Sequence, residues 1–324
     1  MSVIVLAPNW LGDAIMALPA ISDLRRHFSD RPFAIAARPS IAAVFRAVPD
    51  IDRIIVLEPG KETSQLRGDI GVLLPNSFRS AWILKKAGVK ERWGYRTDFR
   101  RPLLTRSIRK PQGRVSFPEY YSNLVRQLGI ATSPLIAQLQ VSAAARTAAL
   151  ALLEQRGWRL GQPLVGIAPG AAFGHAKRWL PGRFAELSSL LMADGAACVI
   201  LGRSEDRDAA RDIKGIDLIG QTDLMMLIAI VSLCQTVVAN DSGAMHVAGA
   251  LGVPVVGIWG PTDERYSRPL TPHEDARTLA VISESAFCRP CFLAECPIDH
   301  RCMKRISTVR VHDAVRHFLQ EGHR

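Results

Sequence analysis

The chain has 324 residues, 48% hydrophobic and 22% charged, with a formal net charge of +11. That length suggests about two domains, and the composition excludes a disordered chain. The longest apolar run, Leu224 to Cys234, is far short of the ~18 residues of a membrane span and contains Ser232, so it is expected to be a buried helix.

Ser2–Ala7 is a short apolar run with β-branched residues and is expected to be the first strand. It lacks a basic leader and a cleavage site, which argues against a signal peptide and for a cytoplasmic chain. Pro8-Asn9-Trp10-Leu11-Gly12-Asp13 follows, and then a helical pattern of Ile15, Leu18, Ile21 and Leu24. Gly12 lets the backbone turn close to a ligand. Asp13 is either a helix-start carboxylate or, at the mouth of a sheet, a general base. Alternation continues through strands at Phe33–Ala37, Ile54–Leu57 and Ile70–Leu74, with a helix from Ile41 to Ala47. Pro75-Asn76-Ser77 then caps a helix carrying Ala81, Leu84 and Ala87, and an arginine- and aromatic-rich loop, Trp93-Gly94-Tyr95-Arg96, comes next. A helix from Glu119 to Leu128 ends at Gly129. The alternation predicts a doubly wound parallel sheet.

The excess charge lies in this first half. Residues 1–155 hold 22 Lys and Arg against 12 Asp and Glu, and residues 156–324 hold 19 against 18. Residues 79–114 alone carry twelve basic residues against Glu91 and Asp98. A basic run is usually a solvated face, but one holding the whole imbalance implies an anionic partner: nucleic acid, an acidic lipid surface or a phosphorylated substrate.

Turn residues in 131–163 and the alanine-rich helix Ala143–Arg156 place the domain boundary at 155/156. A second series then runs from the Leu164–Ala168 strand through helices at Pro181–Ala193, Asp208–Ile213 and Leu224–Leu233 and strands at Ala197–Leu201 and Leu218-Ile219. It closes on Thr236–Trp259, which reads as strand, polar turn, helix and strand, with Asn240-Asp241-Ser242-Gly243 at the carboxyl end of its first strand and His246 on the helix. Asp241 and Ser242 are either an N-cap pair or half of an anion site at a helix N-terminus. Two further loops fall at the same predicted sheet edge. One is Pro169 to Trp179, with Gly170, His175, Lys177 and Arg178; the other is Gly202-Arg203-Ser204-Glu205. A glycine loop with a cation, a polar loop for a ribose and a helix N-terminus together suit a nucleoside diphosphate. No G-x-G-x-x-G follows the first strand, which argues against a dinucleotide dehydrogenase. Four cysteines, Cys288, Cys291, Cys296 and Cys302, lie near His300. They suggest a structural zinc site or a loop of free thiols, and their unusual spacing favours the thiols.

The motifs Asn9-Trp10-Leu11-Gly12-Asp13, Leu74-Pro75-Asn76-Ser77, Lys177-Arg178-Trp179 and Asn240 to His246 jointly resemble the bacterial ADP-heptose:lipopolysaccharide heptosyltransferases, from Ser2 to about Cys302. The resemblance implies a GT-B fold, two Rossmann-like domains facing a central cleft. It implies an inverting transfer from ADP-heptose without a cofactor, and the cysteine segment points to the members that add the second heptose. It places the general base at Asp13 and the leaving-group charge at Lys177. Donor contacts fall at Gly170, Ser204, Glu205, Asp241, Ser242, Gly243 and His246. Acceptor contacts are expected at Asn9, Gly12, Arg79, Arg96, Arg100 and Arg101, toward phosphorylated lipopolysaccharide core on the cytoplasmic face of an anionic inner membrane. The donor loop has Ala171-Ala172-Phe173 where the family often has a polar residue, so its contacts would be mainly backbone ones. The last helix, about Val309 to Glu321, is expected by the same resemblance to pack back on the first domain. Alternatives are a same-fold transferase with another acceptor or sugar nucleotide and, on charge alone, a nucleic-acid-binding protein, for which no binding motif is present.

Overall fold

The computed structural model describes residues 1–272 and 278–321. The chain divides into two compact units, Met1–Gln140 and Val141–Arg324. The helix Ala143–Gln155 therefore belongs to the second unit, where it packs on the helix Leu224–Val231, and the division falls before it instead of after it.

The first unit holds a six-stranded parallel sheet of β1 (Val3–Leu6), β2 (Phe33–Ala37), β3 (Arg53–Val56), β4 (Ile70–Leu73), β5 (Glu91–Tyr95) and β6 (Arg106–Ile108). Its order is β3-β2-β1-β4-β5-β6. The second unit holds β7 (Leu164–Ala168), β8 (Ala197–Ile200), β9 (Ile216–Asp217), β10 (Thr236–Asn240), β11 (Val255–Trp259) and β12 (Leu279–Ser283), in the order β12-β11-β10-β7-β8-β9. Both sheets have the same topology counted from their own first strand. The central strands β1, β4, β7, β10 and β11 are buried along their whole length, which is why they read as unbroken apolar runs.

The arginine- and aromatic-rich stretch expected as a loop is strand β5, paired with β4 on one side and β6 on the other. Its Arg92 and Glu91 sit near the sheet edge, where charge is tolerated, so the alternation of a half-exposed strand was masked by polar residues. The helix expected at Asp208–Ile213 forms successive turns instead, with Asp212 in the left-handed region at φ 65°.

The last helix, Thr308–Glu321, buries Val311, Val315 and Phe318 against the helix Pro181–Ala193 and strands β10 to β12. Its apolar stripe thus joins the core of the second unit. Trp179 lies in the same core, edge-on to Phe184, with its indole N–H donating to the Ile306 carbonyl. Truncating such a buried ring costs about 3–5 kcal/mol. The end of the Pro169–Trp179 loop is thereby anchored.

Candidate active site

In an open parallel sheet, ligands bind beyond the carboxyl ends of the strands where the strand order reverses. That point lies between β1 and β4 in the first unit and between β7 and β10 in the second. The Asn9–Asp13, Leu74–Ser77, Pro169–Trp179 and Asn240–His246 motifs each leave one of those four strands, and the Gly202–Glu205 turn leaves the neighbouring β8.

After β1, Trp10 is the N-cap of the helix Leu11–Met16, and Asp13 is in its first turn. Asn9 is exposed; Gly12 and Asp13 are half-buried. The helix Phe117–Gln127 packs on this one and brings Tyr121 beside Asp13. Burial pushes the Tyr121 phenol well above the ordinary tyrosine range, and the Asp13 carboxylate adds to the shift. The Tyr121 phenol is thus neutral near pH 7. After β4, Ser77 Oγ accepts the Ser80 N–H at 3.3 Å and caps the helix Phe78–Lys86, as the sequence suggested. Asn76 Oδ1 accepts from the Tyr120 hydroxyl at 3.0 Å.

The predicted acceptor arginines separate into two kinds. Arg100 is fully buried and donates to the carbonyls of Tyr95, Pro75 and Ser77 and to Ser80 Oγ. Burial lowers its guanidinium to about 10. It ties the loop after β4 to the end of β5, so the acceptor contact expected of it is corrected to a structural brace. Arg96 and Arg101 remain accessible. Partial desolvation and the charges of Arg109 and Arg101 hold the Arg96 guanidinium below its ordinary value. Three mutually repelling cations are the arrangement that an anion relieves. Arg79 is exposed and paired with Glu62 at 2.6 Å.

In the second unit, Lys177 Nζ lies 2.7 Å from Asp241 Oδ2, and Thr262 Oγ1 donates to the same oxygen at 2.7 Å. The Lys177 ammonium also lies 5.1 Å from the centre of the Phe173 ring. Ser242 is the N-cap residue of the helix Gly243–Ala250 by position, but its side chain makes no capping bond. His246 is buried, and its Nδ1 has no hydrogen-bond partner. Burial lowers its imidazole to about 4, with Lys177 adding to the shift and Asp241 opposing it, so the ring is neutral near pH 7.

Ser204 and Glu205 are exposed on a short turn after β8. Gly170 is required by space, because a Cβ there would overlap the Asp206 carboxylate. Asp206 accepts from Arg178 at 3.2 Å and from the Arg203 N–H at 3.1 Å, and so joins the first two donor loops. Asn240 joins the first loop to β10: its Nδ2 donates to the Pro169 carbonyl at 2.7 Å and its Oδ1 accepts the Trp179 N–H at 3.0 Å. Thr262 and Asp206 were not singled out by sequence, and Asn240 was named only as part of its motif, without a role. Only Asn240 gave a signal, as a buried polar residue ending an apolar strand.

The cysteine segment also supports the donor loop. Ala176 N–H donates to the Ala294 carbonyl at 2.9 Å, and His300 Nε2 lies 2.7 Å from the Ala176 carbonyl. All six cysteines are free thiols. Burial raises the Cys302 thiol, and Cys288, Cys296 and Cys291 are near enough to add to it. Among the described residues, no three His, Cys, Asp or Glu are arranged to hold a metal ion.

Residues 60–301 match Glycosyltransferase family 9 (heptosyltransferase). The chain is 28% identical over 314 residues to the lipopolysaccharide heptosyltransferase 2 of Escherichia coli (strain K12), covering 87% of this chain and 89% of that one. It is 26% identical over 347 residues to the lipooligosaccharide heptosyltransferase 2 of Campylobacter jejuni, covering 100% of both. The structure of E. coli ADP-heptose lps heptosyltransferase II matches with a TM-score of 0.85 at 27% identity, covering 100% of both chains. A glycosyl transferase family 9 structure from Veillonella parvula shares the fold, with a TM-score of 0.82 at 23% identity over 99% of this chain and 97% of that one. The two Rossmann-like domains are of the GT-B type, and with the family matched over most of its length the chain belongs to glycosyltransferase family 9, the heptosyltransferases.

Proposed function

We propose that the chain is an inverting glycosyltransferase that moves a heptose from ADP-L-glycero-D-manno-heptose to the first heptose of the lipopolysaccharide inner core, the reaction of a heptosyltransferase II. The observation that carries the reading is the Lys177–Asp241–Thr262 cluster beside the open N-terminus of the Gly243–Ala250 helix, at the reversal point of a nucleotide-type sheet. A cation next to free backbone N–H groups suits a diphosphate, and the adjoining carboxylate suits sugar hydroxyls.

Asp13 takes the proton of the acceptor hydroxyl as its oxygen forms a bond to the donor's anomeric carbon. The bond from that carbon to the β-phosphate oxygen breaks, and its electron pair leaves with ADP. Configuration inverts in this single displacement, and no enzyme nucleophile is used. Lys177 and the N–H groups at Ser242–Gly243 stabilise the charge developing on ADP. Asp241 and His246 hold the sugar or phosphate, Gly170 offers a close backbone approach, and Ser204 or Glu205 takes the ribose. Arg79, Arg96 and Arg101 attract the phosphorylated acceptor, and Asn9 and Gly12 shape its approach to Asp13. The first domain is thus the acceptor domain and the second the ADP-sugar domain. The acceptor's membrane anchor puts the enzyme on the cytoplasmic face of the inner membrane. Among the described residues no helix is long and apolar enough to cross one, which suits a peripheral attachment.

Acceptors carrying zero, one or two heptoses, assayed with ADP-heptose, test the assignment. Transfer to the one-heptose acceptor is expected. Transfer only to the heptose-free or the two-heptose acceptor would move the chain to another member of the family.

A further inference from the structure

We propose that Phe78, Trp82 and Phe99 form an insertion patch with which the first unit enters the headgroup region of an anionic phospholipid bilayer. Phe78 and Trp82 are one turn apart on the helix Phe78–Lys86, their rings stacked with centroids 6.5 Å apart. They are 44% and 48% exposed. Phe99 is 95% exposed at the tip of the turn after β5. It is held out by a left-handed backbone, with Asp98 at φ 48° and Phe99 at φ 55°. That conformation is an outlier for a bulky residue and tends to mark function.

The turn and the helix are one piece. The Asp98 carboxylate accepts the Phe78 N–H, and the Thr97 hydroxyl donates to the Asn76 carbonyl at 2.9 Å. The Phe78–Trp82 pair and Phe99 are therefore presented by one hydrogen-bonded piece of the chain. Isolated exposed apolar residues are ordinary, but a contiguous aromatic patch is not. Lys85 and Lys86 are exposed one turn beyond Trp82 on the same helix, and Arg96 and Arg101 flank the Phe99 turn along the chain, within a window of twelve basic and two acidic residues.

Charge decides the occupant. Protein interfaces are depleted in lysine at their centres, whereas aromatic rings rimmed by Lys and Arg suit the boundary between acyl chains and anionic headgroups. The patch deepens the reading above, in which a lipid-borne acceptor is approached at the carboxyl edge of the same sheet, and it rests on that reading only for its purpose.

The test is flotation of the full chain with phosphatidylcholine vesicles with and without phosphatidylglycerol. F78S/W82S/F99S should bind the anionic vesicles about tenfold more weakly or worse. Its ADP affinity and its turnover on a de-acylated, soluble acceptor should equal wild type. F99G suits the left-handed backbone and guards against misfolding; it should lose roughly threefold. The proposal is overturned if wild type does not bind, if the variants bind as well as wild type, or if they change self-association in place of vesicle binding. Weakened vesicle binding in a chain that never transfers heptose would uphold the patch and reject the transferase assignment.

Discussion

Lys177 Nζ lies 2.7 Å from Asp241 Oδ2, with the lysine side chain 14% exposed and the carboxylate 4%, so Lys177→Ala leaves an anion without its cation. At an effective dielectric of about 20, that separation corresponds to about 6 kcal/mol of attraction, most of it offset by desolvation. Removing one partner of a buried pair typically costs about 3–5 kcal/mol. Thr262 still donates to the carboxylate and the vacated space admits water, so about 3 kcal/mol is expected. For a unit of this size the melting midpoint should fall by about 6–12 °C. Loss of a charge-assisted bond to phosphate, about 1.5–3 kcal/mol, should weaken ADP binding about 10- to 150-fold. Thermal melts and titration calorimetry with ADP measure both. The double variant Lys177→Ala/Asp241→Asn separates them: it should regain most of the midpoint, while ADP stays bound about tenfold or more weakly. An ADP affinity within about twofold of wild type in Lys177→Ala would refute the phosphate role.

Asp13→Ala should lower turnover by about 10²- to 10⁴-fold while leaving ADP affinity within about twofold, and retained turnover would rule it out as the base. Arg100→Met should cost about 3 kcal/mol of stability without changing the acceptor KM of the folded enzyme, because its side chain is fully buried and its Nε and Nη1 donate inside the fold. Arg96→Ala and Arg101→Ala should do the opposite, raising acceptor KM by roughly three- to tenfold with little change in stability; equal effects from all three would contradict the division. His246 has a folded-state pKa lowered from 6.5 to about 4 by burial. Its contribution is complete above pH 6.5 and is lost as pH falls toward 4, because the unfolded chain binds the proton first; the whole loss is about 3 kcal/mol. His246→Gln should therefore flatten the stability curve between pH 6.5 and 4, and curves parallel to wild type would show that the histidine is not buried neutral.

How much of this was legible in the sequence depended on the range of the interactions. β1, β4, β7 and β10 were readable because burial on both faces makes them continuous apolar runs, and the loops that leave them are the site loops. Asp13, Lys177 and Asp241 followed from that placement. β5 and β6 were not readable, since the exposed start of β5 and the edge strand β6 carry the same charged residues as loops. Arg100 was misjudged for a related reason. A window of basic residues looks uniformly solvated, and nothing local shows that one guanidinium turns inward to three carbonyls. Asp206 and Thr262 were missed because their partners, Arg178 and Asp241, lie 28 and 21 residues away. Such pairings exist only once the sheet has brought its strand ends together.

The same topology serves two opposite electrostatic designs. At the reversal point of the second sheet the cation is already matched: Lys177 is held by Asp241, and Asp241 by Thr262. A matched pair contributes little long-range field, but it fixes an ammonium within a fraction of an ångström, which is what stabilising a leaving diphosphate requires. In the first unit Arg96 lies among like charges: desolvation and then Arg109 and Arg101 lower its guanidinium, and the window around them holds only two acidic residues. Such a cluster positions nothing finely but acts over a Debye length, about 8 Å at physiological salt. Raising salt should therefore weaken acceptor capture, seen as KM for acceptor, far more than ADP affinity. Equal salt dependence of the two would mean that the donor cation is as exposed as the acceptor ones, contrary to its burial beside Asp241.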